Sequence, residues 1–280
     1  MNNRMRDNIE VKNLVPRFLN FYRLALGHDA ESRFTLWKEH YGFAAVPPGE
    51  QGEQVARQLL GTAWDKYAKV ILLLEQWSPN TETVQQYLSK IKSALAYSEP
   101  VDVVLIFFVG MFDGNAFAAP YGDRMAICLP IEAGESNITL VHELTHLVHG
   151  KLTASAMSWE KTVAEMIFQE GLATQLSKHL VPGEQDEAYV EHRPGWLQDC
   201  CAAEKQIVHG IRPYLQERSA ETVIRFTMGT GTTGRQREGY FAGWKLIGDL
   251  LEDGWSFADI ARVREENMTD VLRKYIDLVQ

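Results

Sequence analysis

The amino-acid sequence predicts an α+β fold that is mostly helical and contains one small sheet. Apolar side chains recur at helical spacing through the first hundred residues. Between residues 101 and 131, β-branched and aromatic side chains form two short runs that are typical of buried strands. From about residue 137 to the end, the pattern is helical again. A small number of strands set among many helices indicates the α+β class.

The composition is that of an ordinary globular protein, since 45% of the 280 residues are hydrophobic and 23% are charged. This balance excludes a disordered, collagen-like or low-complexity chain. The 37 acidic residues outnumber the 28 basic ones, and the net charge of −9 argues against nucleic acid or an anionic membrane surface as the main partner. Residues 101–175 carry 9 acidic and 3 basic side chains, which suits a bound cation.

The expected location is the cytoplasm. The longest apolar run, Val103 to Phe112, has ten residues, whereas a membrane-spanning helix needs about 20. The polar N-terminus lacks the apolar segment of a secretory signal. Three cysteines, of which Cys200 and Cys201 are neighbours, cannot form a disulfide framework. We therefore expect reduced thiols that pack in the core, as we also expect for Cys128.

Two helices in the first hundred residues are predicted to present apolar stripes to the core rather than to a cofactor. The first stripe consists of Val55, Leu59, Trp64, Tyr67, Ile71 and Leu74. The second stripe consists of Val84, Tyr87, Leu88, Ile91 and Leu95. Thr81 follows a break at Ser78-Pro79-Asn80 and is predicted to be the N-cap of the second helix.

Two strands are predicted to follow. The first covers Val101 to Val109, and the second covers Met125 to Ile131, after a loop from Gly110 to Gly122. Pro130 favours an edge position for the second strand, because proline has no N–H to donate to a neighbour. The helical region after residue 137 is predicted to be broken at Pro182-Gly183, Arg193-Pro194-Gly195 and Gly229 to Gly234.

The predicted helix from Thr139 to Gly150 contains the pattern His-Glu-x-x-His, and Gly150 is expected to end it. The leucines that face the core are Leu140, Leu144 and Leu147. His142 and His146 are four residues apart and lie on one face, so their imidazoles can bind one metal ion at about 2.0–2.1 Å. Glu143 borders the same site and can take a proton from a water molecule on the metal.

A catalytic zinc site also needs a third protein ligand and an open position for water. Glu170 offers a carboxylate 24 residues after His146, in a second helix predicted over Trp159 to Leu180. The core-facing stripe of that helix is Val163, Ile167 and Leu176. Gly171 inside the helix costs about 1 kcal/mol relative to alanine, so it is expected to permit close approach of the two active-site helices.

These motifs resemble the gluzincin clan of zinc peptidases, in which the third ligand is a glutamate on the following helix. The residues that carry the resemblance are His142-Glu143-x-x-His146 and Glu170-Gly171-Leu172-Ala173. From about Val101 to Leu251, the chain is most similar to the YjaZ-like family of predicted zinc-dependent proteases, and the similarity includes the segment Gly239-Tyr240-Phe-Ala-Gly243-Trp.

The resemblance implies a zincin-like fold with a small sheet beside the active-site helix. It implies that Zn²⁺ is bound by His142, His146 and Glu170, that Glu143 is the general base, and that the substrate is a peptide or protein. In such enzymes a strand ahead of the metal helix pairs with the substrate backbone, a role that Met125 to Ile131 could fill. Residues 1–98 are predicted to form a helical N-terminal region and residues 99–280 the zincin-like metallopeptidase domain; the two could pack as one unit.

Several assignments remain open. Several gluzincins have an acidic residue four positions after the ligand glutamate, but Thr174 occupies that position here, so the group that orients a ligand histidine is unidentified. Glu160 and Glu165 are the candidates, although the pattern favours a solvated helix surface for both. His149 is a weaker candidate for the third ligand, because an unbroken helix carries it too far along its axis.

Tyr240 is the candidate donor to the oxyanion, with a core tyrosine as the equally weighted alternative. Gly239 and Gly243, four residues apart, would let its helix pack tightly. His192 and His209 are weaker substitutes, followed by Tyr189. The segment Gly229 to Gly234 fits a dinucleotide-binding glycine pattern, but a mobile loop is favoured because no βαβ unit surrounds it.

The sequence thus predicts a zinc-dependent peptidase. One alternative is a non-catalytic protein that binds peptides or regulates a partner on the same scaffold. Another is a zinc hydrolase of a non-peptide amide, because the ligand set alone does not separate these substrates.

Overall fold

The computed structural model describes residues 6–46, 49–122, 124–153 and 161–279. The fold is α+β and mostly helical, with one four-stranded sheet, which confirms the predicted class. Within the described ranges, no helix has both the length and the apolar character that crossing a membrane requires.

The helices before the second strand are α1 (Val15–Ala25), α2 (Ala30–His40), α3 (Glu50–Gln76) and α4 (Thr81–Ala94). The later ones are α5 (Asn137–Thr153), α6 (Val163–Leu180), α7 (Glu187–Val190), α8 (Trp196–Cys201), α9 (Glu204–Ile211), α10 (Ala220–Thr227), α11 (Glu238–Glu252), α12 (Phe257–Ala261) and α13 (Glu265–Ile276). A short 3₁₀ segment, Arg212–Tyr214, follows α9.

The sheet has the strand order β1-β2-β4-β3, where β1 is Asn8–Asn13, β2 is Asp102–Phe108, β3 is Phe117–Tyr121 and β4 is Arg124–Pro130. β1, β2 and β4 are parallel, and β3 runs antiparallel to β4. The two predicted strands correspond to β2 and β4. Every residue of β2 after Asp102 is buried, as its β-branched and aromatic composition predicts.

The predicted edge position of the second strand is wrong. β4 lies between β2 and β3, and β3 is the edge strand, formed by residues that were predicted to be a loop. Pro130 is tolerated because β3 pairs with β4 only from Arg124 to Cys128, so no neighbour on that side needs the missing N–H of Pro130.

The predicted N-terminal helices are present as α3 and α4, but their details differ. In α3, Leu60 and Ala56 are buried, whereas the predicted Leu59 and Val55 are only half-buried. α4 begins at Thr81, and its N-cap is Asn80, whose side chain accepts a hydrogen bond from the Thr83 N–H at 3.1 Å. The prediction that Thr81 is the N-cap is therefore wrong by one residue.

The chain divides into two compact units. One contains residues 1–85 and 99–143, and the other contains residues 86–98 and 144–280. The predicted division at residues 98 and 99 stays a prediction. The first unit contains the whole sheet, and the second contains α6 to α13.

In the second unit, α6 and α11 pack with their backbones in contact. A Cβ atom on Gly243 would lie 2.7 Å from the Ile167 carbonyl oxygen and 2.9 Å from the Gly171 nitrogen. The tight packing predicted for Gly239 and Gly243 is therefore confirmed. Gly171 was expected to permit approach to the histidine-bearing helix, and this is wrong, because it faces Gly243 of α11 instead.

Candidate metal centre

The two histidines and the glutamate of the His-Glu-x-x-His pattern lie on α5. Ser136 directly precedes the helix as its N-cap, and its hydroxyl oxygen accepts a hydrogen bond from the Thr139 N–H at 3.1 Å. The three predicted leucines are buried on the opposite side, which fixes the orientation of the helix about its axis. His142, Glu143 and His146 are half-buried. The helix continues to Thr153, so the prediction that Gly150 ends it is wrong.

α6 supplies the third group. Thr162 is its N-cap and accepts a hydrogen bond from the Glu165 N–H at 3.0 Å. The helix therefore begins later than predicted, and Trp159 and Glu160, at the start of the predicted range, lie outside the described residues. The side chain of Glu170 is 11% exposed, so its carboxylate is removed from bulk water yet still reachable.

The structure brings His142, His146 and Glu170 together. One possible ligand atom from each residue lies within 4.8 Å of the other two. The His146 Nε2 atom and the Glu170 Oε2 atom are 3.5 Å apart. Two ligand atoms that bind one zinc ion tetrahedrally at about 2.0–2.1 Å are about 3.3 Å apart. The observed separation therefore fits two ligands of one ion better than a direct hydrogen bond, which is shorter.

The donor set also fits zinc chemically. Two imidazoles and one carboxylate are a ligand set of catalytic zinc sites, and three protein ligands leave a fourth position for water or substrate. The side chain of His146 is 17% exposed, which is compatible with such access. Glu143 follows His142 directly and is half-buried, so it borders the group without belonging to it.

Residues 112–270 match the family described as predicted Zn-dependent protease (DUF2268). This match covers more than half of the 280 residues and includes α5, α6 and α11. The chain belongs to this family. The predicted resemblance to zinc-dependent proteases is thereby confirmed, and the match lies mostly within the range from about Val101 to Leu251 over which the resemblance was predicted. No curated protein and no solved structure matches the chain.

His149 is not part of the three-residue group in this member of the DUF2268 family. Its side chain is buried at 3% exposure, and its Nε2 atom has no hydrogen-bond partner. Burial, with a smaller contribution from the neighbouring His146, lowers the pKa of His149 to about 4. The expectation that His149 is not a ligand stays a prediction.

The candidates for orienting a ligand histidine have different positions. Glu160 lies outside the described residues. Glu165 is buried, and its carboxylate accepts a hydrogen bond from the Gln169 side chain at 3.0 Å, so the expectation of a solvated surface residue is wrong. Thr174 is also buried, at 2% exposure. The assignment of an orienting group stays open.

Tyr240 lies on α11, one turn before the contact between Gly243 and Gly171. Its ring packs against a cluster of buried side chains that includes Trp196 and Phe241, and the Arg237 guanidinium lies over the ring at 4.0 Å. These contacts are compatible with a core tyrosine and with a donor to the oxyanion, so the catalytic role of Tyr240 stays a prediction.

The weaker substitutes for Tyr240 make contacts within the fold. The Tyr189 hydroxyl donates to the Val181 carbonyl oxygen at 2.6 Å, and the His209 Nε2 atom lies 3.1 Å from the Val279 carbonyl oxygen. His192 packs edge-on against Trp196, and burial lowers its pKa.

Two of the three cysteines have the predicted position. Cys128 and Cys200 are buried, and burial raises the pKa of each thiol to about 12. Cys201 is exposed, so its predicted core position is wrong.

The glycine-rich segment holds a carboxylate of the chain itself. Glu238 is fully buried and accepts hydrogen bonds from the Thr232 N–H at 2.7 Å and the Thr233 N–H at 2.8 Å. A helix, α10, precedes the segment rather than a strand. The dinucleotide pattern is therefore excluded, because Glu238 takes the N–H groups that would bind a phosphate. Sequence reasoning missed Glu238, although an acidic residue at the start of a helix was a usable signal.

Proposed function

We propose that the chain is a zinc-dependent peptidase in which His142, His146 and Glu170 hold the metal. The observation that carries the proposal is the convergence of these three groups, with His146 and Glu170 at 3.5 Å. The family description names the same class of enzyme. When bound there, zinc would supply a Lewis acid that polarises the scissile carbonyl group and lowers the pKa of water to about 7.

Glu143 is the general base of this proposal. It accepts the proton of the attacking water molecule and delivers it to the nitrogen atom of the leaving amine. Its position next to His142 on α5 supports this role, because the residue that carries the carboxylate directly follows a proposed ligand on the same helix. Glu170 would not share the role, since its carboxylate would be a ligand of the metal.

Tyr240 is the proposed second donor to the oxyanion. It lies between Gly239, which packs on Met166, and Gly243, which packs on Gly171. The corresponding turn of α6 ends at Glu170, so Tyr240 and the ligand carboxylate belong to adjoining turns of two tightly packed helices. A phenol at this point can donate to the carbonyl oxygen as negative charge develops there.

Peptide binding is proposed at two features of the first unit. Within the described residues, no strand pairs with the outer side of the edge strand β3, so its backbone can pair with an extended substrate. β4, for which this role was predicted, lies between β2 and β3 and cannot fill it. A cavity of about 110 Å³ lies beside the start of α5 and is lined by Leu129, Thr139 and Leu140 among others. Thr139 is one turn before His142 on the same face, so this cavity can hold a substrate side chain near the ligand group.

Metal analysis and peptide cleavage test the proposal together. The purified protein should contain zinc and cleave members of a peptide library, and a chelator should abolish cleavage. Glu143→Gln should retain zinc and lose about 10²–10⁴-fold in kcat, whereas His146→Ala should lose the metal itself. Glu53→Gln, a change at an exposed glutamate of α3, serves as the matched control and should leave both properties unchanged.

The possible results separate the candidate functions. Full activity of Glu143→Gln would refute the assigned base. A zinc-loaded protein that cleaves no peptide, but binds some of them, would favour the non-catalytic alternative. Hydrolysis of small amides without peptide cleavage would favour the zinc hydrolase of a non-peptide substrate.

A further inference from the structure

The first unit contains a second cavity, of about 80 Å³, formed by the start of α2 and the middle of α3. Its walls combine two guanidinium groups with apolar surface. The residues that line it are Ala30, Glu31, Arg33, Arg57, Leu60, Gly61 and Trp64. This volume has room for several water molecules and therefore for a small organic group.

Arg33 is the unusual residue of this cavity. Its guanidinium lies over the ring of the buried Trp64 at 4.3 Å. The Nε atom is buried without a hydrogen-bond partner, and within the described parts of the chain no ion pair or side-chain hydrogen bond involves this guanidinium. A partly buried cation without an anion is unfavourable, so an anion that reaches Arg33 would be bound favourably.

The neighbouring charges do not neutralise Arg33. Glu31, at the rim, pairs with Arg57, whose guanidinium also lies over the ring of Phe34 at 4.2 Å. The three charged side chains therefore leave the cavity with one excess positive charge. The pair between Glu31 and Arg57 is a contact between a carboxylate and a guanidinium at the exposed rim of the cavity.

Gly61 adds an independent observation. Glycine is unfavourable in the interior of a helix, and it usually has a packing reason there. No heavy atom of a neighbour lies within 4 Å of the position that a Cβ atom of residue 61 would take. The glycine is therefore not needed for packing in the protein as it stands, and because it is exposed it lies at the open side of the cavity.

We propose that this cavity is a binding site for a carboxylate on a short apolar stem. The planar guanidinium of Arg33 can donate two parallel hydrogen bonds to a carboxylate, and the rings and methyl groups of Trp64 and Leu60 contact the stem. Such a group occurs in a free aliphatic acid and at the carboxyl end of a peptide. The proposal does not depend on the proposed peptidase activity.

Nuclear magnetic resonance of the full ¹⁵N-labelled chain tests the proposal directly, because a buried Arg33 Nε–H gives an observable signal. The signal is assigned by its loss in Arg33→Lys. Titration with propionate should shift the Arg33 Nε–H signal saturably, and it should also shift the signal of the Trp64 indole N–H. Arg33→Gln should abolish the shift at the Trp64 indole N–H. Gly61→Ala should weaken binding at least tenfold by narrowing the open side of the cavity.

Matched variants and ligands complete the design. Thr62→Ala on the same helix and Arg23→Gln at an exposed arginine should leave the affinity within twofold of the parent. Arg33→Lys keeps the charge but loses the planar fork, so it should bind propionate more weakly even if Arg33→Gln fails to fold. Acetyl-Ala-Ala with a free carboxyl end and the same peptide with an amide end distinguish the two sources.

Tighter binding of the free-acid peptide than of propionate would support the proposal and identify a peptide terminus as the source. Binding of propionate but of neither peptide would support it with a free acid as the source. The proposal is overturned if no carboxylate shifts the signal saturably, if Arg33→Gln and Arg33→Lys bind as the parent does, if the amide peptide binds as well as the acid, or if inorganic phosphate binds and propionate does not.

Discussion

Replacing Gly171 with alanine should force α6 and α11 apart. A Cβ atom at this position would overlap the Gly243 carbonyl oxygen and lie 2.7 Å from the Gly243 carbonyl carbon. Carbon atoms in contact are normally about 3.5–4.0 Å apart, so the helices must separate by about 1 Å. The obstacle is backbone rather than a flexible side chain, and a change of rotamer cannot relieve it.

The expected destabilisation follows from two opposing effects. Overpacking of this kind typically costs about 1–3 kcal/mol, and a rigid backbone obstacle belongs at the upper end. Alanine is more favourable than glycine in a helix interior by about 1 kcal/mol, which offsets part of this cost. The net loss should be about 2 kcal/mol, or about 4–8 °C in Tm for a unit of this size. Because Glu170 adjoins Gly171 and metal ligands tolerate about 0.2 Å of displacement, zinc affinity should fall as well.

Denaturant unfolding and zinc titration measure the two effects. Gly61→Ala is the matched control, since it makes the same change in a helix where no atom lies within 4 Å, and it should stabilise the protein by up to about 1 kcal/mol. Gly243→Ala should resemble Gly171→Ala. A Gly171→Ala protein that is as stable as the parent and binds zinc equally well would show that the helices are not held at this distance.

Three further outcomes are expected. Glu238→Ala should lower the free energy of unfolding by about 3 kcal/mol, measured with denaturant, because it leaves the half-buried Thr232 and Thr233 N–H groups without their acceptor. Glu238→Gln should cost less. Burial lowers the pKa of His149 to about 4, below its ordinary value of about 6.5. The stability that its neutral ring contributes is therefore complete above pH 6.5 and is lost as the pH falls towards 4. Over this range the free energy of unfolding of the metal-free parent should fall by about 3 kcal/mol more than that of His149→Phe. Zinc at 100 times its Kd should stabilise the parent by about 2.7 kcal/mol and His146→Ala hardly at all, as thermal unfolding would show.

The part of the site that could be predicted from the sequence is the part that a single helix determines. The spacing of His142 and His146 places their side chains on one face of α5 whatever surrounds it. The strands β2 and β4 were predictable for a related reason, since a buried strand needs apolar side chains on both faces. Glu170 followed from the ligand number of zinc together with the family resemblance, rather than from local pattern.

The features that were missed depend on pairings between distant residues. β1 has only Ile9 and Val11 as apolar residues, and it becomes a strand by pairing with β2, about ninety positions later in the chain. β3 is a five-residue edge strand that contains Pro120 and is paired only with β4. Weak local preference combined with a long-range partner leaves no periodic signal in the sequence.

Gly171 shows why the reason for a residue can be harder to predict than its position. The sequence indicated that the glycine needed a close neighbour, but α6 is buried on nearly all sides, and its composition does not reveal which helix approaches there. Successive residues of a helix point about 100° apart, so Glu170 can face His146 while Gly171 faces α11. The same turn of α6 therefore sets both the helix contact and the ligand position, and this is why a methyl group added at Gly171 should be detected at the metal.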